Sequence, residues 1–386
     1  MPDDSRHIDA IILAGTLGAR RFHIDGREVA KPYLELGGKA LVARAVRAAL
    51  GAQGIGKVYA VGDRAGLERA LDPLLPCERL VIVDQGADLL TNCYRAFFLH
   101  LLPDRGFPRP EADELDAAAV ADLVAQNPGA RDVGALFITA DLPFIHAEDL
   151  ERFLQRAHPD AAAVLGLVDH ACLSGMQRAL GDRTVLDLWK LGALPMRGLD
   201  VRPSNLWLVR PLRTQPQLYT VVRDLYEHRW LLKQDGSMHW ANWWGMLRAL
   251  ALHTVRIRGR RRLLRGFFNM LPMLAATVLA RLCMRLGRWL SWPFRLFIGR
   301  RDLEFVGSLL LGATARMAIG RDLGPAIDID VEESYWALAR NGEEGYRRVG
   351  RYLAELTGPP GIEEGSAPAA AEQQHSGHQG QAEPLR

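Results

Sequence analysis

The residues best equipped for chemistry lie between Ile11 and Lys39, in the stretch IILAGTLGARRFHIDGREVAKPYLELGGK. A short apolar run (Ile11, Ile12, Leu13) drops at once into small residues, Ala14, Gly15, Thr16 and Gly18. A strand ending in a glycine-rich turn leaves backbone N–H groups pointing outward with no Cβ in the way, which is how a chain wraps phosphate. Arg20 and Arg21 follow with positive charge. Lys31-Pro32 sets a second cation after a short loop, the proline holding its backbone extended. Two common phosphate fingerprints are excluded. No Gly-Lys-Ser/Thr closes a Walker A loop, and Gly15 and Gly18 do not fit G-x-G-x-x-G.

Two further stretches bring carboxylates. In ALFITADLPFIHAEDLERFL (135–154) a buried strand ends at Thr139-Ala140-Asp141, Leu142-Pro143 turns the chain, and HAEDLERFL starts a helix. The carboxyl end of a buried parallel strand is where open α/β sheets bind ligands. Asp141 there suits Mg²⁺, which takes one or two carboxylates plus substrate phosphates; the alternative for a strand-end Asp is a helix cap. LGPAIDIDVEESYWALAR (323–340) predicts a short strand ending in Asp328 and Asp330, then a helix. Those two acids point the same way on a strand.

The order of these residues resembles the pattern L-A-G-G-x-G-x-R…K-P…L-x-G-K of the MobA-like NTP transferase family. Leu13, Ala14, Gly15, Gly18, Arg20, Lys31, Pro32, Gly38 and Lys39 all fall in sequence, with Thr16 in place of the usual second glycine. Asp141-Leu142-Pro143 matches the family's D-x-P metal motif. Asp328-Ile329-Asp330-Val331-Glu332-Glu333 matches its D-I-D-x-x-E ending, although Ser334 and Tyr335 replace the last two residues. The resemblance covers residues 9 to 340, with strong motifs only at these three places.

What it implies is a GT-A-like nucleotidyltransferase that moves a nucleoside monophosphate from a nucleoside triphosphate to a phosphorylated small-molecule acceptor, releasing pyrophosphate. Leu13, Ala14, Gly15, Thr16 and Gly18 would cradle the triphosphate, and Arg20 and Lys31 would neutralise it. Mg²⁺ would sit on Asp141 with Asp330 or Asp328. In GADLLTNCYRAFFLHLL (86–102) a turn enters an amphipathic helix, and in the family this turn covers the base. Gly86, Asp88 and Asn92 are therefore nucleotide-binding candidates, while Asp88 and Asn92 read equally as caps of that helix. Asn205, at the start of VRPSNLWLVRP (201–211), would lie on the acceptor side or simply be a turn asparagine. Two rivals stay open: a GT-A-type glycosyltransferase, and a non-catalytic nucleotide-binding protein at the membrane surface. Glycosyltransferases of this fold usually carry D-x-D after the strand, and Thr139-Ala140-Asp141 has one acid.

The elements that must position these residues alternate. LVARAVRAAL (41–50) has helical spacing, KVYAVGD (57–63) is a strand, RAGLERAL a helix, and ERLVIVDQG (78–86) a strand. That order predicts an α/β fold, a mostly parallel sheet with helices on both faces. Leu36-Gly37-Gly38-Lys39 reads as a tight turn. Residues 103–132 read as a surface excursion with one helix, DAAAVADLVAQ. The expected organisation is a core over 8–224, an inserted helical region over 225–301, the rest of the core over 302–356, and a polar, low-complexity, disordered tail over 357–386.

The inserted region is Trp/Arg-rich. Trp230, Trp240, Trp243, Trp244, Trp289 and Trp292 fall in it, and twelve arginines without one acid lie between Arg256 and Arg301. Its longest uncharged run, Gly266 to Ala280, is shorter than the ~20 apolar residues a membrane span needs. Arg281, Arg285 and Arg288 share a helical face opposite Leu282, Met284 and Leu286. Such a helix can lie in an anionic membrane interface, or cap the catalytic core with its basic face toward substrate. Composition is ordinary for a folded protein, with 48% hydrophobic and 24% charged residues and a net charge of +3. No nucleic-acid partner is expected. Cys77, Cys93, Cys172 and Cys283 lack metal-ligand spacing and read as reduced thiols in the cytoplasm, and the polar start MPDDSRHID is no secretory signal.

Overall fold

The structure, a computed structural model, describes residues 7–16, 21–110, 117–180, 193–214 and 288–356, with parts of 241–284. Alternation within the first strand decides the layering. In β1 (Ile8–Ala14) Ala10, Ile12 and Ala14 enter one core, while Ile11 and Leu13 enter another on the opposite face. Strand residues alternate between faces, so a strand that is apolar from Ala10 to Ala14 is covered on both sides. On one side lie α1 (Leu41–Gly51) and α2 (Arg64–Leu71), on the other α3 (Leu89–Tyr94), which runs on through a π-helical turn at Arg95–Leu101. The predicted helix of the surface excursion is α4 (Ala117–Gln126).

The other strands of the sheet are β6 (Ile55–Gly62), β7 (Leu80–Asp84), β8 (Ala135–Thr139), β9 (Ala163–Asp169), β10 (Leu194–Pro195), β11 (Asp200–Val209) and β12 (Ala315–Gly320). Their order is β12-β9-β11-β8-β1-β6-β7, with β10 beside β11. Pairings β1–β6, β1–β8, β6–β7 and β9–β12 are parallel, and β11 runs antiparallel to both its neighbours. The fold is α/β with a mostly parallel sheet between helices. Between β8 and β9 lies α5 (Ala147–Arg156), and α6 (His170–Leu180) follows β9.

Two local expectations change. Residues 21–30 are a hairpin, β2 (Arg21–Ile24) paired with β3 (Arg27–Ala30), and not a short loop. Asp25 and Gly26 at its tip have φ of 49° and 75°, the left-handed pair an Asp-Gly hairpin turn requires. The Asp-Gly dipeptide was the signal. Residues 327–330 form no strand; the chain is extended there but pairs with no neighbour in the sheet. The Gly37-Gly38 turn does join a small hairpin, β4 (Glu35–Leu36) to β5 (Lys39–Ala40), with φ of 58° and 65°.

The carboxyl-terminal part is held by a third core. Phe22, Leu34, Leu36, Phe144, Leu173, Ile327, Ile329, Tyr335, Leu338 and Leu353 pack together. That cluster joins the hairpins to the last helix, α8 (Glu332–Leu356), whose two halves meet at a left-handed turn over residues 341–343. Before β12 lies α7 (Arg300–Leu311). The described residues of 272–284 are helical, and Ala276 and Ala280 pack with Leu167, Val201 and Ile298. Leu279 and Leu282 are exposed there, while Arg281 is half-buried. Small residues let that helix approach the sheet closely, which turns the larger leucines outward. Arg295, one of the twelve arginines of that region, is buried against Asp200 and the Met196 carbonyl. Arg285, the Arg288 and Leu286 side chains and the tail from 357 lie outside the described residues. All four cysteines are free. Among the described residues no helix is long and apolar enough to cross a membrane.

Candidate active site

Two parallel strands deliver the site. Leu13 on β1 pairs with Thr139 on β8, so both chains leave the sheet at the same level. The Ala140 amide still donates to the Leu13 carbonyl, at 3.2 Å. Beyond that bond β1 enters the glycine-rich turn and β8 reaches Asp141. The cap reading of Asp141 fails on position. Helix α5 begins only at Ala147, with His146 as its N-cap and Asp149 Oδ2 accepting from the His146 amide at 3.0 Å.

The extended segment 327–330 runs alongside. The Ile329 amide donates to the Asp141 carbonyl at 3.3 Å, and Ile327 and Ile329 are fully buried. With those two apolar side chains turned into the core, Asp328 and Asp330 face the opposite way, toward Asp141. One oxygen from each of Asp141, Asp328 and Asp330 lies within 4.8 Å of the others. Lys31 reaches into this cluster from the single helical turn Lys31–Tyr33, where buried Pro32 fixes the backbone. Its ammonium donates to Asp330 Oδ1 at 2.6 Å and forms an ion pair with Asp141 Oδ2.

Strand β11 supplies a second cation. Arg202 Nη2 donates to Asp328 Oδ1 at 2.9 Å, and Asn205 Nδ2 to Asp328 Oδ2 at 3.3 Å. Residues 202 and 205 would face opposite sides of a regular strand. The register shifts between Pro203 and Trp207, and Asn205 takes φ 53° within that irregularity, which brings both side chains to one carboxylate. Asn205 is thus a bulge residue in the middle of a strand, where the sequence placed it in a turn or at a strand start. Arg202 was not identified from sequence, because an arginine in a strand carries no local signal of its partner.

The charges interact strongly. Burial, together with neighbouring Asp330 and Asp141, raises the Asp328 carboxyl to about 6, against the pull of Arg202 and Lys31. Burial would raise Asp330 as well, but Lys31 beside it outweighs that and lowers it. Lys31 itself would be lowered by burial, yet Asp141 and Asp330 raise it, so it stays charged. A divalent ion fits this donor set. The carboxylates are hard oxygen ligands, and Asp141 Oδ1 is buried without a hydrogen-bond partner, an acceptor left over by the protein itself.

The nucleotide-turn residues divide. A Cβ on Gly15 would lie 2.4 Å from Asn92 Nδ2, so only glycine permits the turn to pass there. Asn92 is buried, and its Oδ1 accepts from the Gly86 amide at 2.6 Å. Asp88 is the N-cap of α3, accepting from the Thr91 amide at 2.7 Å, which is the capping alternative. Leu13 and Ala14 have buried side chains and can offer a ligand only backbone. The Thr16 amide is already engaged by Gln85 Oε1 at 2.7 Å, and Gln85 Nε2 returns a bond to Thr16 Oγ1 at 3.0 Å. Gln85 thus ties the two turns together and was missed, since a glutamine after a strand is locally unremarkable. Gly18 and Arg20 lie outside the described residues. Asn92→Ala is expected to leave the buried Gly86 amide unsatisfied and lower unfolding stability by about 1–3 kcal/mol. Urea denaturation checks this, and an unchanged midpoint would mean that other contacts hold the turn.

Comparison with known proteins places these features. No curated protein is significantly similar to the chain. Among solved structures it is similar to a hypothetical transferase from Thermus thermophilus, with 18% identity, 85% of this chain and 99% of that one covered, and a TM-score of 0.45. It is also similar to a CMP:2-keto-3-deoxy-manno-octonic acid synthetase complexed with CTP, with 12% identity, 62% and 84% covered, and a TM-score of 0.31. A third is the inositol-1-phosphate CTP transferase from T. maritima, with 14% identity, 56% and 74% covered, and a TM-score of 0.32. Residues 10–173 match the MobA-like NTP transferase domain, a stretch that includes the glycine-rich turn, Lys31 and Asp141. Over that stretch, less than half of the chain, the sequence is similar to the MobA-like NTP transferase family.

Proposed function

We propose that the protein is a Mg²⁺-dependent nucleotidyltransferase that moves a nucleoside monophosphate from a nucleoside triphosphate to a phosphorylated small molecule. The observation that carries this reading is the convergence of Asp141, Asp328, Asp330 and Lys31 beside the glycine-rich turn. An acceptor phosphate oxygen bonds to the α-phosphorus, the bond from that phosphorus to the bridging oxygen of the β-phosphate breaks, and pyrophosphate leaves. Two anions must meet, so the site has to neutralise charge and hold the reacting atoms in line. Lys31 would do so at the α-phosphate, and Arg20 at the β- and γ-phosphates. Backbone of Leu13, Ala14, Gly15, Thr16 and Gly18 would follow the phosphate chain, with Gly86 and Asn92 shaping the base side. Asp141, with Asp330 or Asp328, would hold Mg²⁺, which when bound polarises phosphoryl oxygens. An acceptor that is already an anionic phosphate needs no general base.

On this reading 8–224 and 302–356 form one catalytic core, interrupted by 225–301. Pyrophosphate release from the four nucleoside triphosphates with Mg²⁺, screened against sugar, polyol and cofactor phosphates, is the test. Release of a nucleoside diphosphate from a nucleotide sugar would instead indicate a glycosyltransferase. Binding of a triphosphate with no turnover of any acceptor would favour a non-catalytic role.

We further assign the protein to the cytoplasm, at the inner face of the membrane. Supporting this, Trp289, Trp292 and Phe297 are 77%, 64% and 61% exposed, in a segment that runs on to the exposed Arg300, paired with Glu304 at 3.0 Å, and Arg301. Exposed tryptophans flanked by cations suit an anionic lipid interface, where each cation adds about 1 kcal/mol before screening. Anionic liposomes are expected to bind the full chain at low salt, and Trp289→Ser with Trp292→Ser to weaken binding severalfold. Absence of binding to anionic vesicles at low salt would remove the membrane from the account and leave this region as a cap over the catalytic core.

A further inference from the structure

Lys31 stands where a divalent ion would have to bind. Its ammonium bridges Asp141 and Asp330, two of the three acids whose oxygens lie within 4.8 Å of one another. The third acid, Asp328, already has Arg202 and Asn205. Among the described residues three carboxylates are thus matched by two cations, and a further double charge can gain the full set only if a resident cation gives way. Of the two, Lys31 is the more easily moved. Arg202 stands on a sheet strand and binds through a planar guanidinium, whereas Lys31 carries a single ammonium on a four-carbon stem above a turn fixed by buried Pro32. Its stem can swing while its backbone stays in place.

We propose that Lys31 is a built-in competitor of the divalent ion. In the nucleotide-free protein it neutralises Asp141 and Asp330, and it releases them when a polyphosphate takes its ammonium. This rests on the metal reading above and adds an order to it: ion and triphosphate enter together, and the ion alone binds weakly. The site is thereby guarded against filling with metal in the absence of nucleotide.

The test uses Mn²⁺ alone with the full chain, free Mn²⁺ being read by electron paramagnetic resonance. Lys31→Met is expected to tighten Mn²⁺ binding about tenfold or more, because a unit charge in direct contact with two ligands is gone. Lys31→Arg keeps that charge and should bind no better than wild type. The gain should persist in about 0.5 M KCl, where long-range charge effects are screened, and should vanish when Asp141→Asn is added. Inorganic tripolyphosphate, added without metal, should bind Lys31→Met several-fold more weakly than wild type. Equal or weaker Mn²⁺ binding by Lys31→Met would overturn the competition; if Asp141→Asn still abolished that binding, the metal site itself would stand. Absence of Mn²⁺ binding in both proteins would overturn the competition and the metal reading together.

Discussion

Asp141→Asn is expected to stop Mg²⁺-dependent pyrophosphate release, with turnover falling on the order of a thousandfold. The residue sits where β8 leaves the sheet. One of its oxygens pairs with Lys31, and the other is buried with no hydrogen-bond partner. Asparagine keeps the size but removes the charge, and its amide nitrogen offers no lone pair to a metal. Asp330→Asn should cost more than Asp328→Asn, since the Asp328 charge is already matched by Arg202 at 2.9 Å. Titration of Mg²⁺ against initial rate separates the three variants. Full activity in Asp141→Asn would place the metal, and with it the reaction, elsewhere.

Lys31→Ala is expected to lower turnover on the order of a hundredfold to a thousandfold with the fold retained. A cation that meets negative charge as the transition state forms acts mainly on turnover, so kcat should fall with far less change in KM. Lys31→Arg should not rescue it. A guanidinium can span Asp141 and Asp330 together through its fork of donors, and is then slower to leave them for phosphate. The melting temperature gives the control, because Asp141 and Asp330 lose a shared partner in Lys31→Ala but not in Lys31→Arg. Near-normal pyrophosphate release from Lys31→Ala would falsify the assignment of Lys31 to the chemistry.

Much of the scaffold follows from local pattern. The apolar runs at 11–13 and 135–138 read as buried strands, and both are. The helical spacing at 41–50 buries Leu41, Val42, Ala45, Val46 and Ala49 as that period requires. The small residues after Leu13 and the acid after Thr139 marked the two strand ends that form the site. Each of these is a property of neighbours in sequence, where backbone geometry fixes which side chains share a face.

What only the tertiary structure decided is which distant residues meet. Asp330 reaches Asp141 because Ile327 and Ile329 pack against Phe144 and Tyr335, a contact between two segments far apart in the sequence. Arg202 and Asn205 share Asp328 only because β11 breaks register, and Gln85 meets Thr16 only because β7 ends two strands away from β1. The sequence by itself determined the residue types at the strand ends. Packing decided that Lys31 is held between two carboxylates, that Asp88 caps a helix while Asn92 braces the turn, and that Arg295 is structural. The physical reason is that periodicity and turn chemistry act over a few residues, whereas a charge finds its partner through the whole fold.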